Sequence, residues 1–271
     1  MDIEGKNRPI GVFDSGIGGL TVLKEIIKEL PSENTIYLGD TARVPYGIRS
    51  AETVVRYSFE NVRFLSSRNI KLLVVACNTA SAVSLEAIKS RISIPVIGVI
   101  KPGAKAAVKA TKNKRVGVIG TEATVKSNAY EEAIRDIDEN IEVFGASCPL
   151  FVPLVEEGWT RGTIATLIAR EYLVNMKGIG IDTVVLGCTH YPLLKRIIAD
   201  VMGEEVALID SAVETAHEIK AALEVLGLSR ERNNSLTREF YVTDSPERFV
   251  KVGENFLGRK ISHIERTDLG N

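Results

Sequence analysis

Short runs of β-branched and apolar residues alternate along this chain with longer segments whose apolar positions recur every three or four residues. Pro9 to Phe13, Thr35 to Leu38 and Leu72 to Ala76 are apolar at nearly every position, as in strands buried on both faces. Between them, Leu20 to Leu30 (L-T-V-L-K-E-I-I-K-E-L) has helical spacing and ends before Pro31, and Ala51 to Ser66 reads as a second helix. The alternation continues with a helix over Ala80 to Lys89, a short strand over Pro95 to Ile100, and a strand over Arg115 to Ile119. Next come a helix over Ser127 to Asp136, a strand over Ile141 to Gly145, a helix over Thr163 to Met176 and a strand over Thr183 to Leu186. A helix over Leu193 to Val201, a strand over Val206 to Ile209 and a helix over Ala212 to Leu226 follow. The loop-like Arg230 to Ser235 precedes a last strand–helix pair, Glu239 to Thr243 and Pro246 to Leu257. Apolar strands alternating with helices define an α/β protein with mainly parallel sheets.

The pattern repeats. Ile10 to Thr21 (I-G-V-F-D-S-G-I-G-G-L-T) and Val116 to Val125 (V-G-V-I-G-T-E-A-T-V) each read as strand, small polar turn and helix. Aligning Gly11 with Gly117 displaces the chain by nearly the same amount as aligning Cys77 with Cys188. The expectation is two similar α/β halves with a site in the cleft between them, each bringing a cysteine to the carboxyl end of a strand, where open α/β sheets bind ligands.

Composition narrows the chemistry. At 271 residues, with 45% hydrophobic and 25% charged residues and a formal net charge of -1, the chain is an ordinary globular protein with no electrostatic call on nucleic acid or an acidic membrane surface. Its polar, acid-bearing start, M-D-I-E-G-K-N-R-P, is no signal peptide, and no apolar run approaches the roughly 18 residues of a membrane span. The expected compartment is the cytoplasm. The odd number of cysteines, Cys77, Cys148 and Cys188, argues against a disulfide framework, and the scattered histidines His190, His217 and His263 argue against a zinc site.

Cysteines that follow buried strands can serve as acid–base groups, since a helix N-terminus favours the thiolate. One thiolate on each side of a substrate could remove a proton from one face and return one to the other, inverting a stereocentre without a cofactor or metal. Ser15, Asn78, Thr79, Thr121 and Thr189 follow strands and suit a carboxylate; Asp14 suits an ammonium group or the tuning of a thiol, and His190 could tune Cys188. Other uses stand beside these. Asp14 could cap the helix starting near Gly18, and Arg43 could bind substrate or form a structural ion pair. Cys148 reads as buried filler, Glu157, Trp159 and Arg161 as surface, and His217 and His263 as uninvolved. The glycines at 16, 18 and 19 do not have dinucleotide-binding spacing.

The motifs D-S-G-I-G-G-L (Asp14 to Leu20), G-D-T-A-R-V-P-Y-G (Gly39 to Gly47), A-C-N-T-A (Ala76 to Ala80), G-T-x-x-T (Gly120 to Thr124), P-L-V-E-E-G (Pro153 to Gly158) and G-C-T-H-Y-P (Gly187 to Pro192) resemble those of the glutamate racemase family. The cysteine motifs alone would indicate only the wider group of cofactor-independent amino-acid racemases. The resemblance implies interconversion of L- and D-glutamate, supplying D-glutamate for peptidoglycan. It implies Cys77 as the base toward D-glutamate, assisted by Asp14, and Cys188 toward L-glutamate, assisted by His190 with Glu156. The substrate contacts it implies are Asp14, Ser15, Pro45, Tyr46, Gly47, Asn78, Thr79, Thr121, Thr124, Thr189 and His190. It also implies a discontinuous first domain (residues 1–98 and 212–271), an inserted second domain (99–211) and a homodimer. The long N-terminal extension of activator-dependent relatives does not precede the motifs, so activity is expected without a cell-wall precursor. A racemase of aspartate or hydantoins remains an alternative. A Cys188–His190 hydrolase leaves Cys77 without a task, and a two-lobed amino-acid-binding protein leaves both thiols without one.

Overall fold

A computed structural model describes residues 3–231 and 236–270. Its strands are β1 (Ile10–Asp14), β2 (Thr35–Gly39), β3 (Leu72–Val75), β4 (Val96–Gly98), β5 (Arg115–Gly120), β6 (Glu142–Ser147), β7 (Thr183–Gly187), β8 (Ala207–Asp210), β9 (Arg238–Val242) and β10 (Ile264–Arg266). They form two sheets, ordered β10-β9-β2-β1-β3-β4 and β6-β5-β7-β8, and every pairing is parallel. Strands β1, β2, β3 and β7 are buried along their whole length, which is why their sequences show no polar alternation.

The repeat is visible in the strand order. Reading β2-β1-β3-β4 beside β6-β5-β7-β8, each half places its first strand between its second and third. Gly11 pairs with Leu73 and Gly117 with Val184, and the displacement from Leu73 to Val184 is also that from Cys77 to Cys188. The two cysteines therefore leave equivalent strands at equivalent heights.

Most expected elements lie within two residues of the observed ones, and the differences have local causes. Two proline-bearing helices were absent from the sequence reading: Ile100–Ala110, which displaces the end of the expected Pro95–Ile100 strand, and Phe151–Glu156. Each has proline at its third position, Pro102 and Pro153, where the missing N–H has no intrahelical acceptor to lose; read linearly, those prolines look like breaks. The helix expected over Ser127 to Asp136 is instead Glu122–Lys126 and Ala129–Arg135, divided at Asn128 with φ 56°. Asparagine tolerates that left-handed conformation. The helix expected from Leu193 starts as a 3₁₀ turn, Tyr191–Leu194, and continues as Lys195–Met202. The helix Ile3–Asn7 and the edge strand β10 were also not foreseen. Of the loop expected over Arg230 to Ser235, residues 232–235 lie outside the described residues.

The helix Ser211–Val225 packs against both Leu20–Glu29, on the first sheet, and Ile100–Ala110, on the second. It ties the halves together on the side where the chain passes between them. Among the described residues, no helix is long and apolar enough to cross a membrane.

Candidate active site

Asp14 closes β1 and Cys77 follows β3, so two side chains that must share a charge balance emerge side by side from neighbouring strands. Cys77 occupies the N-cap position of the helix Asn78–Lys89 with an extended backbone, φ -67° and ψ 121°. Its thiol donates to Ser15 Oγ at 3.6 Å. Burial, then the negative charge of Asp14, push the Cys77 thiol up to about 12, against the favourable pull of the Ala80 N–H at the helix start. Cys77 is thus a thiol at neutral pH. Asp14 is wholly buried. Its Oδ2 accepts from the Gly16 N–H at 3.0 Å, and its Oδ1 has no hydrogen-bond partner among the described residues. Burial raises its pKa, while His190 and the N–H groups of Gly19, Gly16 and Ser15 act the other way. A buried carboxylate with a free oxygen is a receptor for a cation.

Cys188, at the equivalent position after β7, has a different neighbour. Its sulfur lies 3.8 Å from His190 Nδ1, and His190 Nε2 lies 3.1 Å from Glu156 Oε1. The other Glu156 oxygen is 3.4 Å from Arg248, which comes from the helix Pro246–Leu257 of the first half. The His190 ring meets Phe256 of that same helix edge-on, with centroids 5.3 Å apart. Burial opposes a charge on this imidazole, but hydrogen bonds to Cys188 and Glu156 prevail and raise its pKa to about 10. The His190 contact holds the Glu156 carboxyl below its ordinary value despite burial.

The halves meet through small polar side chains. Thr79 Oγ1 lies 3.0 Å from Thr121 Oγ1 and 3.2 Å from Thr124 Oγ1, and Thr121 and Thr124 are 3.0 Å apart. Thr121 is also the N-cap of Glu122–Lys126, accepting from the Thr124 N–H. Thr21 donates to the Thr189 carbonyl across the cleft at 2.9 Å, and Tyr130 donates to Asn78 Oδ1 at 2.7 Å. Two glycines permit the close approach: a Cβ at Gly18 would strike the Thr189 hydroxyl and the His190 ring, and one at Gly47 would lie 2.6 Å from Thr121 Cβ.

The structure brings Asp14, Ser15, Cys77, Asn78, Thr79, Thr121, Thr124, Cys188, Thr189 and His190 to this interface, with Glu156 behind the histidine. Gly47 reaches it too, carried by the loop that includes Pro45 and Tyr46. The Tyr46 hydroxyl is turned away, donating to Asp40, so this loop offers the site its backbone rather than its phenol. Arg43 takes the structural alternative: it pairs with Asp40 and Glu60 and lies over the Tyr57 ring. Cys148 is buried, its thiol donating to the Ala146 carbonyl at 3.7 Å, and His217 and His263 lie on exposed positions. Tyr130, Asp40 and Arg248 were not singled out in the sequence. A tyrosine in a helix and an arginine on a helix face carry no local signal, because their partners are remote in the chain. Among the described residues, no group of three or more His, Cys, Asp or Glu side chains is arranged to hold a metal ion.

Two parallel halves of the same topology each deliver a thiol to one shared interface, and the comparisons define the class as amino-acid racemases, a kind of isomerase. The family model described as Asp/Glu/Hydantoin racemase matches residues 10–219, and the chain belongs to that family. It is 56% identical over 262 residues to the glutamate racemase of Geobacter metallireducens, covering 97% of each chain. Among solved structures it superposes on glutamate racemase isoform RacE1 from Bacillus anthracis with a TM-score of 0.94 at 44% identity, covering 97% of this chain and 98% of that one. It superposes on the Francisella tularensis glutamate racemase in complex with D-glutamate with a TM-score of 0.92 at 41% identity, again covering 97% and 98%.

Proposed function

We propose that this protein is a glutamate racemase that interconverts L- and D-glutamate by proton transfer between two facing thiols, Cys77 and Cys188, without a cofactor. The observation that carries this mechanism is the equivalent placement of the two cysteines after β3 and β7. Each has its own acid–base companion, Asp14 for Cys77 and the His190–Glu156 pair for Cys188.

In the L-to-D direction the Cys188 thiolate, beside the His190 imidazolium, takes the α-proton, and the electron pair of the broken C–H bond passes into the substrate carboxylate. Cys77, held as a thiol by burial and Asp14, gives its proton to the opposite face of Cα. The S–H bond breaks as the new C–H bond forms, leaving Cys77 as the thiolate that begins the return reaction. Asp14 Oδ1 receives the substrate ammonium. Ser15, Thr79, Thr121, Thr124 and Thr189, with the Asn78 amide and the Pro45–Gly47 backbone, surround the carboxylates.

The same reading makes residues 1–98 and 212–271 one domain and 99–211 the other, with substrate entering as the halves part. It makes a homodimer the assembly, the cytoplasm the compartment and peptidoglycan synthesis the use of D-glutamate. The assembly and the use of D-glutamate rest on the motif resemblance, and the compartment on composition.

The test is circular dichroism of the purified protein with each glutamate enantiomer in deuterated water, beside Cys77→Ser and Cys188→Ser. Wild type should racemise both enantiomers with deuterium uptake at Cα, and each variant should lose most of that activity. Turnover of aspartate but not glutamate would move the substrate assignment and leave the mechanism. Failure of any amino acid to exchange its α-proton would overturn the two-thiol mechanism.

A further inference from the structure

We propose that Tyr130 is a positioning residue that fixes the orientation of the Asn78 amide and thereby sets how firmly the site grips the substrate carboxylate. The proposal rests on the racemase reading above.

Asn78 directly follows Cys77 and is 3% exposed. Its Oδ1 accepts from the Tyr130 hydroxyl at 2.7 Å, while its Nδ2 is buried and has no hydrogen-bond partner among the described residues. Tyr130, 2% exposed, comes from the helix Ala129–Arg135 of the opposite half. Its ring packs on the backbone that leads to the other thiol: a Cβ at Gly187, the residue before Cys188, would lie 3.2 Å from Tyr130 Cε2. The amide is therefore held between the two cysteine loops, pinned from the far half.

A primary amide can face a site with either its oxygen or its N–H₂, and the two choices are opposites for a carboxylate. The oxygen would repel it; the N–H₂ would donate to it. A tyrosine hydroxyl could satisfy either orientation, and here it donates to the amide oxygen. Ser211 lies beside the ring: a Cβ at Gly103 would be 3.2 Å from both Ser211 Cβ and Tyr130 Cε1. With Tyr130 donating to Asn78 Oδ1, the contact has one direction. It leaves an N–H₂ that lacks an acceptor, and leaving such a buried donor unpaired is costly. Burial keeps the phenol protonated across the neutral range, so its direction does not change there.

The experiment is steady-state kinetics of Tyr130→Phe with both enantiomers, with calorimetric titration of D-glutamate into wild type and variant. The variant keeps the ring packing and loses the hydroxyl. KM for both enantiomers and the calorimetric Kd should rise about tenfold, roughly the worth of one neutral hydrogen bond, with kcat changing less than about threefold. In an Asn78→Ala background the same substitution should have no further effect, because both act through one contact. An unchanged KM and Kd in Tyr130→Phe would overturn the proposal, as would a loss confined to kcat or a full effect persisting in the Asn78→Ala background. Absence of turnover in wild type would instead overturn the racemase reading, and the calorimetric arm would still decide the role of Tyr130.

Discussion

His190 stands 3.1 Å from Glu156 through one ring nitrogen and faces the Cys188 sulfur with the other. The histidine follows β7 and the glutamate ends the helix Phe151–Glu156, so the contact joins two segments of the second half behind one thiol. The charged companion of Cys77 is instead the carboxylate of Asp14. The two thiols thus differ in the charge beside them although their strands are equivalent.

Glu156→Gln keeps the shape and removes the anion. Without it the His190 pKa should fall from about 10 toward its ordinary value, weakening the cation beside Cys188. The expected loss in kcat/KM is about 10- to 100-fold, the usual cost of removing a group that orients an acid–base residue. Because the equilibrium constant between enantiomers is one, kcat/KM must fall equally in both directions, and any asymmetry will appear in kcat and KM separately. The pair also shapes stability. A raised histidine pKa contributes stability fully present below pH about 6.5 and lost as pH rises toward about 10. The lowered Glu156 pKa contributes stability present above its ordinary value and lost in acid. Urea midpoints should therefore decline between pH 7 and 10 more steeply in wild type than in Glu156→Gln; parallel curves would show that the pair does not set His190.

Asp14→Asn tests the other side. The carboxylate raises the Cys77 pKa, so its removal should lower it. Alkylation of Cys77 by iodoacetamide at pH 8, followed by mass spectrometry of the peptide containing it, should become several-fold faster. Racemisation should nevertheless fall by about 100-fold or more, because the ammonium loses its counter-charge. Slower alkylation in the variant would mean that Asp14 activates Cys77 in the free protein rather than holding it protonated.

Much of this was legible in the sequence because it was local. Buried parallel strands announce themselves as continuous apolar runs, and residues that end them, such as Asp14, Cys77 and Cys188, inherit a predictable place at the carboxyl edge. The repeat could be read because equal topology preserves spacing. What escaped was set by partners distant in the chain. Tyr130 matters through Asn78, and Arg248 through Glu156, pairs that only the docking of the halves creates. The helices at Ile100 and Phe151 escaped because a proline in a first turn looks the same, along a sequence, as a proline that ends a helix.

Gly18→Ala should separate closure from folding. A Cβ at this position would strike Thr189 and His190 of the opposite half, so the cleft could not reach its observed closeness. Each half keeps its own sheet, and the thermal midpoint should stay within about 5 °C of wild type. Activity should fall about 100-fold, since a misplacement of about 1 Å between reacting groups has that effect. A variant with wild-type turnover would show that the halves do not need this contact to react.

Asp40→Asn addresses the loop that delivers Gly47. Asp40 is fully buried; it accepts from the Tyr46 hydroxyl, from Arg43 Nε at 2.7 Å and from Thr243 at 3.0 Å. Its own N–H donates to the Asp14 carbonyl at 3.0 Å, so the residue links the Thr41–Gly47 loop to the strand end that carries Asp14. Asparagine is the same size, but its N–H₂ in place of Oδ2 leaves both Tyr46 and Arg43 without an acceptor, and in place of Oδ1 it leaves Thr243 without one. The loop should lose its fixed position before the sheet loses its core. KM for glutamate should rise about tenfold, and stability should fall by about 2 kcal/mol, the order expected for a buried donor without its acceptor. Glu60→Gln removes only the outer partner of Arg43 and leaves Asp40 in place, so its KM should remain within about twofold of wild type. Equal effects of the two substitutions on KM would mean that Arg43, and not Asp40, is what holds the loop to the site.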